Sequence, residues 1–277
     1  MEAFDLLNYG FFRNALAAAL LMSVTTALIG TYIVSRRMVF ISGGITHASF
    51  GGVGIGYFLG YPPLAGATVF AVLTAILTEN LTHRRKLRND SVIAIMWSLG
   101  MAIGIIFVYL TPGYAPNLMS YLFGSIITVT LLDLWLMLAL TLTVVLVFIL
   151  LFRAILYVSF DEQFARSRGI PVMFINYLLI VLTALTIVLS IRIAGIILVL
   201  SLLTIPQNTA NLFTSQFRKI ILGSILFGFA GAFSGLLCSY WLNIPSGATI
   251  IFCLTVIYLL SRMVRWFISR RKGQNIG

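Results

Sequence analysis

Seven stretches of this chain run without a charged side chain for at least the roughly 18 to 20 residues that carry a helix across a bilayer: 14–35, 38–78, 91–132, 134–152, 169–191, 193–217 and 220–261. No other feature narrows the fold so far. Lipid offers no partner for a backbone N–H or C=O, so segments of this kind must close their hydrogen bonds internally, as helices or as a closed barrel. The alternating pattern of about 10 residues that marks a membrane barrel is missing. Only 9% of residues are charged, against roughly 25% in soluble domains, which excludes a water-soluble fold. The opening Met-Glu-Ala-Phe-Asp has no basic region of the kind that begins a cleavable signal peptide.

Turn chemistry divides the longest runs. Tyr61-Pro62-Pro63 splits 38–78, and Asn243-Ile244-Pro245-Ser246-Gly247 splits 220–261, because proline cannot continue a helix ladder and pushes the preceding residue to extended geometry. A third interruption covers 111–117, and the piece after it, 118–130, is short for a crossing and reads as interfacial or re-entrant. The result is an all-α polytopic bundle, one transmembrane domain over 1–277. About nine crossings are predicted, at 12–35, 40–60, 64–82, 91–110, 131–152, 173–190, 193–213, 219–241 and 247–267. Threaded with the N-terminus outside and the C-terminus inside, they put sixteen of the eighteen Lys and Arg residues on the cytoplasmic face, all but Arg13 and Arg192. That bias is the one the positive-inside rule expects. The formal charge of +11 then reflects topology and anionic lipid, and calls for no nucleic acid.

The second crossing is unusual. Residues 41–56 read ISGGITHASFGGVGIG, with six glycines and one histidine, His47. Gly44, Ala48, Gly52, Gly56 and Gly60 recur every fourth residue, a small-residue stripe along which another backbone can approach closely. Turned by roughly 100° are Gly43, His47 and Gly51, so the imidazole lies between two residues without side chains, on a face with expected open space. An ionisable ring at membrane depth marks a pathway or site; the competing reading is a packed histidine bonded to a carbonyl. Protonation, near pH ~6.5 for an unperturbed ring, would compete with a metal there.

Other polar residues offer fewer clues. Gln207, Asn208 and Asn211 follow the helix-breaking Pro206 and could turn amide oxygens toward a cavity or bond between helices. Asp133 and Asn243 stand at outer helix ends, near an entrance or simply solvated. Cys238 and Cys253 lack ligand spacing and read as filler, His83 as a residue of the basic loop, and Glu79 as a partner of Arg84 or Arg85. In the loop at 160–171, Asp161 and Glu162 suit a helix N-terminus and Gly169 its end, with Phe164 on one face and Arg166 and Arg168 on another. Such a helix could lie in the groove of a soluble partner or decorate a surface. The phosphate-binding pattern G-x-x-x-x-G-K-[ST] does not occur.

Four stretches together carry a family resemblance. RRMVFISGGITHASFGGVGIG from Arg36 resembles the second-helix signature of the membrane permeases of bacterial ABC importers for zinc, manganese and iron. The segment from Asp161 to Pro171 is similar to the loop by which those permeases engage their ATPase. AGIILVLSLLTIP from Ala194, and Pro245-Ser246-Gly247-Ala248, resemble the seventh helix and the turn before the last helix. The four occur in family order from Arg36 to Ala248. The resemblance implies a type II permease fold, as in importers of vitamin B12 and siderophores, in a bacterial plasma membrane. It further implies a homodimer, a cytoplasmic ABC ATPase that supplies the energy and an extracytoplasmic metal-binding protein that delivers the ion. His47 would line the metal path, joined by Gln207, Asn208 or Asn243. Asp161, Glu162, Phe164, Ala165, Arg168 and Gly169 would form the coupling element, and Gly44, Gly52, Gly56 and Gly60 would pack helices. On that reading the chain is no enzyme and binds no cofactor. It departs from the family pattern where Gly43 stands in place of an Asp and Asn243 in place of an acidic residue. Loss of a hard oxygen ligand tilts the expected cargo toward zinc, with manganese and iron the other candidates.

Rival classes differ in testable ways. A permease for a metal chelate such as a siderophore or cobalamin needs a wide polar path. An ion-coupled carrier needs an inverted repeat and intramembrane carboxylates, and neither is found. An intramembrane enzyme needs an acid/base or metal constellation that one histidine cannot supply.

Overall fold

The computed structural model describes residues 8–85, 88–112 and 126–271. Eleven helices occupy them: α1 Gly10–Ser35, α2 Val39–Leu59, α3 Pro63–Arg85, α4 Asn89–Leu110, α5 Leu131–Phe160, α6 Glu162–Ser167, α7 Val172–Ala194, α8 Ile196–Leu202, α9 Ile205–Asn211, α10 Phe217–Leu242 and α11 Ser246–Arg271. Most of the predicted 118–130 piece lies outside the described residues; its last part holds a single 3-10 turn, Ile126–Thr128. The side chains of Arg84 and Arg85, the partners expected for Glu79, also lie outside them; Glu79 itself is buried.

Local chemistry sets most helix ends. Gly60 takes a left-handed φ of 71°, and Tyr61 N–H closes onto the Gly56 carbonyl at 2.9 Å before Pro63 opens α3. Thr130 and Asp133 form a capping box at the start of α5, with the Asp133 carboxylate accepting from Thr130 N–H at 3.1 Å and Asp133 N–H donating to the Thr130 hydroxyl at 3.3 Å. Asn243 ends α10 in the left-handed region at φ 53°, a geometry asparagine tolerates better than most residues. Buried hydroxyls of Ser23, Thr26 and Thr31 donate back to carbonyls four residues earlier, so α1 satisfies its polar groups without water.

Two expectations are corrected. The predicted crossing at 193–213 is two half-helices, α8 and α9, separated at Thr204 (φ −131°, ψ −49°) and set off from α7 by Gly195 (φ 80°). Pro206, in the first turn of α9, needs no donor there, and so the break falls just ahead of it. The fifth crossing, predicted to stop at 152, continues as α5 to Phe160 past a kink at Leu151. Among the described residues seven helices are long and apolar enough to cross a membrane; α2, diluted by its glycines, and the α8–α9 pair are the two predicted crossings outside that set.

α2 packs between α3 and α4. α1 lies against α5 and α10, α10 against α11, and α7 joins the two groups through α3 and α5. Glycine makes the first of these contacts possible. A Cβ on Gly52 would run into the Gly66 backbone of α3, and one on Gly66 into the Gly52 carbonyl. Gly100 and Gly104 of α4 likewise admit the backbones of Ala48 and Phe50. The stripe is therefore shared by two neighbours: Gly52 and Gly56 serve α3, while Gly44 faces Ile93 of α4. Gly60, expected to pack, has nothing within 4 Å of a built Cβ and serves to end the helix. One end of the bundle gathers the α1–α2 corner with α6; the other gathers Pro62, Pro63, Thr128 and Arg192. Arg192, an exception to the basic bias, forms an ion pair with Asp133.

Candidate functional site

His47 lies near the middle of α2 and is half-buried. Its ring is not in open space. It stacks on Trp97 of α4, with centroids 4.0 Å apart and planes 7° from parallel. The small residues invert the sequence expectation for a physical reason: by drawing α4 against α2 they carry the indole over the imidazole. On the side of Gly51 the space is closed by the Gly100 carbonyl, 2.9 Å from a built Cβ, and by Phe70. On the side of Gly43 room remains, because a Cβ there would make ordinary contacts with Trp97 at 3.8 Å and Leu200 of α8 at 4.0 Å. The ring nitrogen Nδ1 is buried and has no hydrogen-bond partner among the described residues. The packed-histidine reading requires such a partner.

A cavity of about 380 Å³ opens at the end of the bundle that gathers Pro62, Pro63, Thr128 and Arg192, lined also by Ser49, Phe50, Val53, Tyr57 and Ala67. Ser49 is two residues beyond His47, about 200° around the helix. Phe50, Val53 and Tyr57, which also line it, stand at about 300°, 240° and 280°, so the cavity flanks α2 roughly a quarter turn from His47, which does not line it. The face bearing His47 also carries Phe40, 72% exposed, and continues toward exposed Trp97 and Ile197, while Gly43 and Gly51 on the same face are buried.

The other proposed path residues lie elsewhere. The Gln207 side chain is fully buried and donates to the Thr26 carbonyl of α1 at 2.8 Å and to the Leu202 carbonyl at 3.0 Å. It fills the space Gly30 leaves, where a Cβ would strike its amide. Asn208 is exposed, and its side-chain amide donates at 2.8 Å to the Thr204 carbonyl, which also accepts Asn208 N–H at 3.1 Å. Asn243 is exposed in its turn. Asp133 has its carboxylate engaged by Thr130 and Arg192. Among the described residues no three His, Cys, Asp or Glu side chains converge on one point. Sequence reasoning missed Trp97. Its signal was Gly100 and Gly104 following at three and seven residues, a glycine register on α4 that answers the one on α2.

The loop predicted at 160–171 forms α6, a six-residue helix. The Asp161 carboxylate accepts from Gln163 and Phe164 N–H, both at 2.9 Å, and Gly169 at φ 75° ends the turn. Phe164 is 40% exposed, flanked by Arg168 at 5.2 Å from its centroid and by Tyr157 edge-on at 5.4 Å. Ala165 is fully buried. Glu162 turns inward: it is paired to Arg36 at 2.6 Å, accepts from the Asn176 amide at 3.0 Å and lies 3.9 Å from Arg166. The outward residues are thus Gln163, Phe164, Arg166, Ser167 and Arg168.

Residues 8–265 match the profile of the ABC 3 transport family. A manganese transport system membrane protein of Halalkalibacterium halodurans is 32% identical over 269 residues, which cover 97% of this chain and 91% of that one. Among solved structures, PsaBC from Streptococcus pneumoniae in complex with a Fab matches with a TM-score of 0.83 and 30% identity over 93% of each chain. A metal-chelate type ABC transporter in an inward-facing conformation shares the fold, with a TM-score of 0.75 at 18% identity over 91% of this chain and 85% of that one.

Proposed function

The chain belongs to the ABC 3 transport family, and from that premise we propose that it is the permease of an ATP-driven importer of divalent metal ions, working as a homodimer. It is a multi-pass membrane subunit without nucleotide chemistry of its own. The observation that supports the metal path is His47, a partly exposed imidazole of the glycine-rich helix beside exposed Phe40 and Trp97, with a buried nitrogen that has no hydrogen-bond partner among the described residues. A titratable ring of this kind is costly against lipid. A second copy on the same face would cover it and bring a second imidazole to the path. A cytoplasmic ATPase would take α6 in a groove, and an extracytoplasmic binding protein would deliver the ion at the other end. Alternating access would follow as α2 moves with α3 and α4.

Two observations bear on the cargo. An imidazole with glycine, not a carboxylate, one turn before it favours zinc, which is content with nitrogen. The name of the Halalkalibacterium relative favours manganese. Reconstitution with the ATPase and binding protein, followed by elemental analysis of vesicles offered zinc, manganese and iron together, tests both. ATP-dependent accumulation of a free divalent ion is expected, with zinc ahead if the donor set governs and manganese ahead if the relative's cargo carries over. Uptake of chelated metal alone, or of none, removes the proposal.

The docking face yields a separate prediction. Phe164→Ala keeps a good helix former but deletes the exposed aromatic, and is expected to weaken ATPase binding by about 2 kcal/mol, roughly thirtyfold, as for a central interface anchor. Unchanged affinity in a titration of the detergent-solubilised permease would put the docking surface elsewhere.

A further inference from the structure

We propose that Arg36 and Glu162 form the strut through which movement of α6 reaches α2, an inference that rests on the importer reading above. A helix of six residues has no stability of its own, so α6 holds its place only through what anchors it. Its backbone packs mainly against α5 and α7, the two helices it joins. Its link to the α1–α2 corner is made by side chains. Glu162 reaches Arg36 at 2.6 Å, and Arg36 donates a second bond to the Val158 carbonyl of α5 at 2.8 Å. Asn176 of α7 donates to the same carboxylate at 3.0 Å, and its own oxygen faces the Tyr32 hydroxyl of α1 at 3.5 Å. One carboxylate thus ties four helices together.

The position of Arg36 gives the contact its consequence. It is the cap residue of α1 and stands immediately before Arg37, whose φ of 56° turns the chain into α2. Any displacement of Glu162 therefore acts on a corner three residues from the start of the helix that carries His47. Both side chains are largely shielded, 14% and 23% exposed, so solvent and salt weaken the pair less than they would a surface bridge. A planar guanidinium held at two points, by Glu162 and by the Val158 carbonyl, also resists shear better than a point charge. Glu162 and Arg36 are positioning residues; neither touches the ion.

The test uses the whole reconstituted importer and reads metal imported per ATP hydrolysed. Arg36→Gln and Glu162→Gln are each expected to lower that ratio at least tenfold while the permease still co-purifies with its ATPase. Glu162→Gln is the gentler arm, since its amide oxygen can still accept from Asn176. Arg36→Lys, which keeps a positive charge beside Glu162, is expected to recover part of the lost ratio, and ATP hydrolysis by the assembled complex is expected to persist in all three variants, which a merely structural defect would not leave. A ratio unchanged in both glutamine variants, or loss of assembly in step with transport in Glu162→Gln, overturns the strut. Failure of the importer reading looks different, because the unmodified complex would then show no ATP-driven metal uptake at all.

Discussion

His47→Phe is expected to reduce metal uptake at limiting metal by on the order of ten- to a hundredfold, the scale on which even the supporting partners of a metal ligand act. Phenylalanine is the informative choice. It retains a flat ring to stack on Trp97, at present 4.0 Å away, and removes both nitrogens. His47→Ala removes ring and nitrogens together, so the pair of variants separates stacking from ligation. Equal losses identify the lone pair as the functional group; normal uptake by His47→Phe with loss in His47→Ala would make the histidine a packing residue and sink the proposed path. Gly43→Asp adds the complementary gain. The backbone there leaves a Cβ in ordinary contact with Trp97 and Leu200, so a carboxylate fits one turn from the imidazole, and it is expected to shift preference from zinc toward manganese in the same competition assay.

Gly52→Leu is expected to abolish the folded permease. A Cβ at Gly52 would occupy the place of the Gly66 carbonyl, and the conflict is with backbone, so no side-chain rotation relieves it. Even Gly52→Ala is expected to cost about 1 to 3 kcal/mol, the usual penalty of an overpacked core. Gly43→Ala is the control. Its Cβ meets nothing nearer than 3.8 Å, so the gain of helix propensity, roughly 0.5 to 1 kcal/mol, should leave it neutral or slightly stabilised. Thermal unfolding in detergent, followed by size exclusion, measures all three. Equal midpoints for Gly52→Ala and Gly43→Ala would show that α2 and α3 do not cross at these glycines.

Much of the fold was legible because its causes are local. The Tyr61-Pro62-Pro63 and Asn243 turns, the Asp161 cap and the Gly169 terminator act within a few residues, and each lies where the sequence predicts. The break at Thr204 was only half legible: Pro206 announced an interruption, but its tolerance in a first helical turn let two short helices replace one crossing. Site residues were harder. Glu162 has the composition of a docking residue and turns inward, because its partners Arg36 and Asn176 come from helices far away in the chain. Gln207 has the composition of a cavity residue and instead fills the gap at Gly30.

What the sequence determined by itself is that this chain lives in a bilayer as helices, one of them rich in glycine and carrying a lone histidine. Lipid cannot satisfy an open backbone, and that demand is written into uncharged length and turn chemistry. What the tertiary structure alone decided is direction: that His47 stacks on Trp97 outside the lining of the cavity, and that Glu162 grips Arg36. Those facts depend on which helices become neighbours. That choice is made by pairs such as Gly52 with Gly66 and Ala48 with Gly100, contacts in which the deciding feature is the absence of a side chain.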